Sequence, residues 1–337
     1  MTLTELLAYS LFHGPAPTGA VSVSDAKSQG VVALVHDALL ALQEQGHEVP
    51  VSRQEMFMAA MLTDGVERSN RRREEMLRTF AARLKREKGI DTVVVKGSSL
   101  ARHYPVPLHR ECGDNDIYLG PRAHEADAWL RDMGVAVDDS DPRHSSFILN
   151  GIAFENHAYL MYPRRPGDAT CDPAWQTEQI GEGLHVLTPP YEALFTAAHA
   201  EHHAVFHNEC VGLRQVVEWA RLLPHLDYEA YNALKRDRFG DLLTQYCVAT
   251  FRLEPPRGWR PLSERALTDF PAIYLVEQPR SKHALVRVFR RSMKYIRYRH
   301  TYREVYGESP FRRFYLRNLT QAIHQVLTGH QRAEGRQ

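Results

Sequence analysis

Two segments in the first half of the chain are Val93-Val94-Val95-Lys96-Gly97-Ser98-Ser99-Leu100 and Gly113-Asp114-Asn115-Asp116-Ile117-Tyr118-Leu119. The first is typical of an apolar strand that ends in a Gly-Ser turn, and the second begins with two aspartates. Residues two apart on a strand point to the same face, so Asp114 and Asp116 are predicted to hold a common cation. A Gly-Ser turn brings backbone N–H groups close to a phosphate. The pattern predicts a site for a divalent metal and a nucleoside triphosphate.

A third carboxylate is predicted at Glu155, a polar residue within the otherwise apolar run 152–160. Oxygen ligands of this kind suit Mg²⁺ or Mn²⁺. Three carboxylates on adjacent strands can hold two metal ions, one on the triphosphate and one on the attacking hydroxyl. Taken alone, the run 113–116 is also typical of a turn. Its combination with the upstream Gly-Ser turn and with Glu155 favours a site.

The flanking regions are predicted to be helical. Residues 31–42 place apolar side chains at the spacing of one buried helix face. Ser52 and Glu55 form a capping-box pattern that opens a second helix. A separate charge-rich helix is predicted from about Asn70 to Lys88, ending at Gly89. Residues 1–90 are therefore interpreted as an N-terminal helical region.

Residues 91–190 have the strand-rich pattern of an α/β (α+β) core with a small mixed sheet. Its clearest local signal is Asn150-Gly151, which predicts a hairpin turn between two strands. Residues 191–337 return to helical periodicity, with candidate helices near 191–206, 211–223, 228–237 and 239–252. The proline-rich stretch 255–279 is predicted to be a connector.

The overall charge indicates no particular class of binding partner, because the net charge of the 337 residues is +1. The chain from Arg280 onward is basic, with 14 Lys and Arg against 3 Asp and Glu. This region is compatible with nucleic-acid binding through phosphate contacts and base stacking. The favoured alternative is an amphipathic helix whose apolar stripe is buried. That stripe would comprise Leu285, Val288, Phe289, Met293 and Ile296.

The cysteine pattern indicates neither a disulfide framework nor a zinc ribbon, because four cysteines lie far apart without a CxxC pair. No uncharged apolar stretch approaches 18 residues, so no transmembrane helix is expected. The apolar run Leu6–Phe12 is too short for a signal peptide. The protein is predicted to be cytoplasmic, with no membrane partner.

Three histidines form a second possible site. His199, His203 and His207 are spaced i, i+4 and i+8, which places them on one helix face. Glu201 lies two residues after His199, so the segment lacks the His-Glu-x-x-His spacing of a zinc hydrolase. The favoured interpretation is that one or two of these histidines face the cleft and the others pack or lie on the surface.

The segment Val95–Ala101, followed by Tyr104-Pro105, Arg110 and the run 113–116, resembles the uncharacterised bacterial branch of the nucleotidyltransferase superfamily. That superfamily shares its core with DNA polymerase β. Glu155-Asn156-His157 resembles the family's Glu-Leu-His strand, and the likeness covers roughly residues 75–225. The resemblance implies a small mixed sheet flanked by helices and transfer of a nucleoside monophosphate.

The resemblance also implies roles for individual residues. Gly97 and Ser98 would cradle the triphosphate, while Asp114, Asp116 and Glu155 would bind metal. Lys96 and Arg110 are candidate phosphate contacts. Two departures from the family pattern are Asn115 and Asn156, which place polar groups where apolar packing is expected.

The leading hypothesis is a metal-dependent nucleotidyltransferase that uses Mg²⁺ or Mn²⁺ and an NTP, with ATP the expected donor. It would move the NMP to a hydroxyl of a small molecule or a protein and release pyrophosphate. One alternative is an enzyme that modifies nucleic-acid ends. Another is a noncatalytic nucleotide-binding or interaction module, which the intact acids disfavour.

Overall fold

The computed structural model describes residues 2–141, 144–157, 159–160, 175–204, 210–275 and 284–307. The strands within these ranges are Thr92–Val94 (β1), Asn115–Tyr118 (β2), Val137–Asp138 (β3), His144–Leu149 (β4), Ile152–His157 (β5), Thr177–Gly181 (β6) and Leu184–Leu187 (β7). The helices are Leu3–Phe12 (α1), Val23–Ser28 (α2), Val32–Glu44 (α3), Arg53–Lys88 (α4), Ser98–Ala101 (α5), Ala123–Asp132 (α6), Pro189–His202 (α7), Leu213–Leu222 (α8), Tyr228–Leu234 (α9), Phe239–Phe251 (α10), Glu264–Phe270 (α11), Ala284–Arg297 (α12) and Arg299–Tyr306 (α13).

The strands form one mixed sheet in the order β3-β4-β5-β2-β1-β7-β6. Strand β1 pairs in parallel with β7 and antiparallel with β2, while β2 pairs in parallel with β5. The register places Asp116 directly opposite Glu155. A mixed sheet flanked by helices confirms the predicted fold class.

The hairpin between β4 and β5 confirms the prediction from Asn150-Gly151. Both residues have positive φ, 48° and 78°, as the two central positions of a type I′ turn require. The Arg72 guanidinium donates a 2.7 Å hydrogen bond to the Asn150 carbonyl. Helix α4 therefore contacts the tip of this hairpin.

Helix α4 is one continuous helix of 36 residues, so the prediction of two separate helices was wrong. Ser52 and Glu55 form the predicted capping box, and Gly89 ends the helix in the left-handed conformation. Gly65, within the helix, costs helix stability without breaking it. Tertiary packing offsets that cost, since Leu77, Phe80 and other side chains of α4 are buried.

The two faces of the sheet pack against different helices. On one face α4 and α6 cover a core that includes Phe80, Trp129 and Phe154. On the other face α7 packs through Phe195 and Tyr191 against Val95 and Leu187. Helix α7 thereby reaches the face of the sheet that carries Asp116.

Helices from both ends of the chain share a second large core. Leu7 and Leu39 from the N-terminal helices lie in the same apolar cluster as Trp219 and Leu243 from the C-terminal helices. The strand-rich region between them is therefore inserted between two segments that pack against each other.

Two predictions in the C-terminal part require correction. The stretch 255–279 is not only a connector, because it contains α11, which Ser263 caps and which buries Phe270. Met293 and Ile296 are about half exposed, at 49% and 48%, so this part of the predicted apolar stripe is not buried. The side chains of 285, 288 and 289 lie outside the described residues. In the described part of the chain no helix is long and apolar enough to cross a bilayer.

Candidate functional site

The turn after β1 depends on Gly97. Its φ of 58° and ψ of −117° lie in a region that side chains with a Cβ atom rarely occupy. A Cβ placed on Gly97 would lie 3.8 Å from the Asp114 carbonyl oxygen. The buried turn therefore lies directly beside the residue that precedes β2. Ser98, which is half-buried, begins the short helix α5.

The structure brings together Asp116, Glu155 and His157. Asp116 lies opposite Glu155 across the β2–β5 pair, and His157 follows two residues later on the same face of β5. One ligand atom of each residue lies within 4.8 Å of the others. Carboxylate and imidazole groups at this spacing fit a divalent cation.

Asp114 occupies a different position from the one that strand periodicity predicts. Strand β2 begins at Asn115, so Asp114 lies just before the strand and is half-buried. It does not belong to the three-residue group, although it lines the adjoining cleft. Burial and the negative charge of Asp116 raise the pKa of Asp114, so the two carboxylates interact electrostatically.

Lys96 forms an ion pair with Asp116. The Lys96 Nζ lies 2.9 Å from the Asp116 Oδ1, and the His157 Nε2 lies 3.0 Å from the same oxygen. Burial of Asp116 opposes its ionisation, but the Lys96 ammonium and the His157 hydrogen bond outweigh burial and hold its pKa well below the usual value. Asp116 is therefore an anion that already has cationic and hydrogen-bonding partners.

His199 joins this cluster from α7. Its Nε2 lies 3.1 Å from the Lys96 Nζ and 3.1 Å from the His203 Nε2. Burial, the Lys96 ammonium and His203 hold the pKa of His199 well below its usual value. His199 lines the cleft, as expected for at least one of the three histidines. His207 lies outside the described residues.

The cleft beside this cluster lies between the β1 and β2 ends of the sheet and helices α7 and α8. Asp116, Lys96 and His199 belong to both the cluster and the cleft. The residues that line the cleft are Lys96, Gly97, Arg110, Glu111, Cys112, Gly113, Asp114, Asp116, Thr196, His199, Arg214, Gln215 and Glu218. This lining is polar and carries charges of both signs, which suits a charged substrate better than an apolar one.

Arg110 is a buried part of the cleft wall. Its guanidinium forms a 2.7 Å ion pair with Glu218 of α8, and both side chains are 4% exposed. It also donates to the Cys112 sulfur over 2.9 Å. Much of its charge is therefore neutralised within the protein, which differs from a free phosphate-binding arginine.

Asn115 and Asn156 lie on the opposite face of the sheet from Asp116, because neighbouring strand residues alternate between faces. Asn156 donates a 3.4 Å hydrogen bond to the Ser145 hydroxyl, which donates to the Asp127 carboxylate of α6 over 2.9 Å. These two departures from the family pattern therefore belong to the α6 side and do not line the cleft.

Sequence reasoning missed Glu192 of α7, which is fully buried. Its carboxylate accepts a 2.5 Å hydrogen bond from Ser99 and contacts His103 and Arg102 at 2.8 and 3.0 Å. Glu192 thereby joins α5, which follows the Gly97 turn, to α7, which carries His199. The sequence shows only an acid near the start of a helix, which is common there, and the partners of Glu192 lie about ninety residues away.

A model of the family described as uncharacterised nucleotidyltransferase matches residues 23–247. No curated protein and no solved structure matches the chain. The matched span covers more than half of the chain and contains the Gly97 turn, the group Asp116, Glu155 and His157, and every residue of the cleft lining. The chain is an enzyme of the nucleotidyltransferase class and belongs to the uncharacterised nucleotidyltransferase family.

Proposed function

We propose that the protein uses this cleft to transfer a nucleoside monophosphate from an NTP to a hydroxyl of a small molecule or a protein, with ATP as the donor. Pyrophosphate is the second product. The observation that carries the proposal is the close grouping of Asp116, Glu155 and His157 beside a cleft that also contains the Gly97 turn. We also propose that the sheet and the helices packed on it form a core related to that of DNA polymerase β.

In this proposal Asp116 and Glu155, with Asp114 at the cleft, hold Mg²⁺ or Mn²⁺. The donor atoms fit such an ion because carboxylate oxygens are its preferred protein ligands. A divalent cation bound there would neutralise part of the charge on the triphosphate. The His157 Nε2 lies 3.0 Å from the Asp116 Oδ1, so the imidazole lies beside the ion that this carboxylate would hold.

The Gly97 turn is the proposed triphosphate site, together with Ser98. Gly97 lets the backbone approach a ligand closely, since no side chain covers its Cα. The Lys96 ammonium lines the same cleft and is the proposed phosphate contact. Arg110 contributes to the cleft through its own positive charge, which Glu218 partly neutralises.

The proposed reaction is an in-line attack of the acceptor oxygen on the α-phosphorus. The new oxygen–phosphorus bond forms as the bond to the pyrophosphate oxygen breaks. Glu155 is half-buried opposite Asp116, and we assign it the role of orienting the acceptor hydroxyl and accepting its proton. The nucleic-acid alternative remains a prediction, because much of the basic segment, including Arg312 and Arg313, lies outside the described residues.

The first experiment measures metal-dependent transfer of label from α-³²P-labelled NTPs to protein, RNA or a metabolite mixture. In Asp114→Asn and Asp116→Asn, turnover should fall by about 100-fold or more, because each variant loses a negative charge that would hold the divalent cation. Asp64→Asn is the matched control, since Asp64 lies on α4 in an exposed pair with Arg68.

Urea unfolding must accompany these assays, because Asp116 is a buried partner of Lys96. Asp114 is half-buried and provides the variant with the smaller expected effect on folding. Wild-type turnover in both folded variants would contradict the proposed function.

A further inference from the structure

We propose that His157 is a nitrogen ligand of the metal ion held beside this cleft and that the site therefore binds Mn²⁺ in preference to Mg²⁺. This inference rests on the proposed function for the presence of the ion. It adds a ligand that differs in chemistry from the three carboxylates expected from the sequence.

The distance between donor atoms fits direct coordination. The His157 Nε2 lies 3.0 Å from the Asp116 Oδ1. Two neighbouring ligands of a six-coordinate ion with bonds of about 2.1 Å lie about 3.0 Å apart. His157 and Asp116 are therefore already spaced as adjacent ligands of one ion, and Glu155 completes the group within 4.8 Å.

The His157 ring is held in this position by its surroundings. The side chain is almost completely buried. The Phe195 ring of α7 meets it edge-on with 5.8 Å between ring centroids, and the backbone of β5 is paired on both sides, with β2 and with β4. A buried ring in a central strand loses little further conformational entropy when its nitrogen binds an ion.

The chemistry of an imidazole ligand determines the expected selectivity. Mg²⁺ binds oxygen ligands and retains water, whereas imidazole nitrogen suits first-row transition metals. A site that adds one imidazole to its carboxylate ligands should therefore discriminate against Mg²⁺. A histidine that only hydrogen-bonds Asp116 would leave the metal with oxygen ligands alone.

Pulsed EPR of Mn²⁺ bound to the full-length protein separates these two arrangements. Direct coordination should give ¹⁴N modulation in the electron spin echo, and it should change to the ¹⁵N pattern after selective ¹⁵N-histidine labelling. The signal should disappear in His157→Gln and persist in His144→Gln. His144 is the matched control because it lies opposite His157 on β4, with ring centroids 6.2 Å apart.

Calorimetry supplies the second readout. Mn²⁺ affinity should fall by about tenfold or more in His157→Gln, while Mg²⁺ affinity should change by less than about threefold. The wild-type echo tests the inference without any substitution, so a variant that fails to fold does not prevent a decision.

Bound Mn²⁺ without histidine nitrogen modulation in the wild type would overturn the inference. Modulation that persists in folded His157→Gln but is lost in His199→Gln would also overturn it, because the nitrogen ligand would then be His199. Failure of the proposed function has a different signature. In that case NTP turnover is absent, or Asp116→Asn binds Mn²⁺ as tightly as the wild type.

Discussion

Gly97 combines a positive φ with a strongly negative ψ, a backbone conformation that alanine adopts only at a cost. Gly97→Ala is expected to lower the free energy of unfolding by about 1–3 kcal/mol. The same strain should weaken NTP binding, because the turn lies at the proposed triphosphate site. Urea unfolding and nucleotide titration measure the two effects.

Gly113→Ala is the matched control for Gly97. Gly113 lies on the same cleft, but a Cβ there would contact nothing within 4 Å and its φ is not positive. Equal effects of the two substitutions would show that the Gly97 conformation has no special role.

Lys96 places a positive charge where a divalent cation would approach Asp116. Lys96→Met removes this charge and keeps most of the length of the side chain. Without nucleotide, Mn²⁺ should bind about tenfold more tightly or better, a gain of about 1.4 kcal/mol or more, because two like charges no longer compete for one carboxylate. NTP affinity should fall, since the proposed phosphate contact is lost.

Isothermal calorimetry of Mn²⁺ binding tests this prediction. Lys85→Met is the control, because Lys85 forms a comparable 2.8 Å pair with Asp91 at an exposed position outside the cleft. Unchanged or weaker Mn²⁺ binding by Lys96→Met would show that Lys96 does not compete with the ion.

At the scale of elements, His109 links three segments. It lies in the turn Pro107–His109 that precedes β2, and its two ring nitrogens contact Asp37 of α3 at 2.6 Å and Glu67 of α4 at 2.9 Å. The hydrogen bond to Asp37, supported by Glu67, raises the pKa of His109 against the opposing effect of burial. The charged imidazole is thus the form that stabilises the fold.

Because the pKa of His109 is higher in the folded state, its stabilisation is fully present below the unfolded value of about 6.5. It is lost as the pH rises through the raised folded pKa. His109→Gln should therefore remove a component of stability that declines with increasing pH across this window. Urea unfolding of both proteins from pH 5 to 9 measures it.

His36 contributes to stability in the opposite direction, because burial and the charge of His109 lower its pKa. A constant stability difference across the pH range would contradict the assignment.

The loop that contains His109 is also held by Asn70 of α4, whose side chain donates to the carbonyls of Leu108 and Arg110 over 2.7 Å each.

At the scale of the whole molecule, the predicted core at 91–190 does not contain all of its own apolar packing. Leu77, Phe80 and Leu84 of α4 lie in the cluster beneath the sheet, and Phe195 of α7 packs on the other face. A fragment of residues 91–190 would keep α6 but lose α4 from one face of the sheet and nearly all of α7 from the other, so apolar side chains on both faces would be exposed to water. The cleft also needs α7 and α8, which carry His199 and Glu218.

The isolated fragment 91–190 is therefore expected to remain unfolded and to bind no metal at the affinity of the full chain. Far-UV circular dichroism and the dispersion of amide NMR signals measure its folding, with the full chain as control. A cooperative urea transition in the fragment would show that this region forms an independent domain. The boundaries at 90 and 190 remain predictions until then.

Local sequence was sufficient to predict the elements that depend on neighbouring residues. A short run of β-branched residues indicated β1, Asn150-Gly151 indicated the hairpin, and the capping box marked the start of α4. The mixed α/β character followed from these periodicities. The length of α4 was not predictable in this way, because packing of Phe80 and its neighbours against the sheet overrides the local interruption at Gly65.

The composition of the site depended on contacts between distant residues. Lys96 and His199 meet across 103 positions, and Asp116 and His157 across 41. Strand pairing in the register of Asp116 with Glu155 brings in His157, while the start of β2 at Asn115 leaves Asp114 outside the group. Sequence periodicity fixes which face a residue takes along one strand. Which faces of different strands and helices contact each other depends on tertiary packing. That packing is set by the burial of apolar side chains from the whole chain, which no local pattern shows.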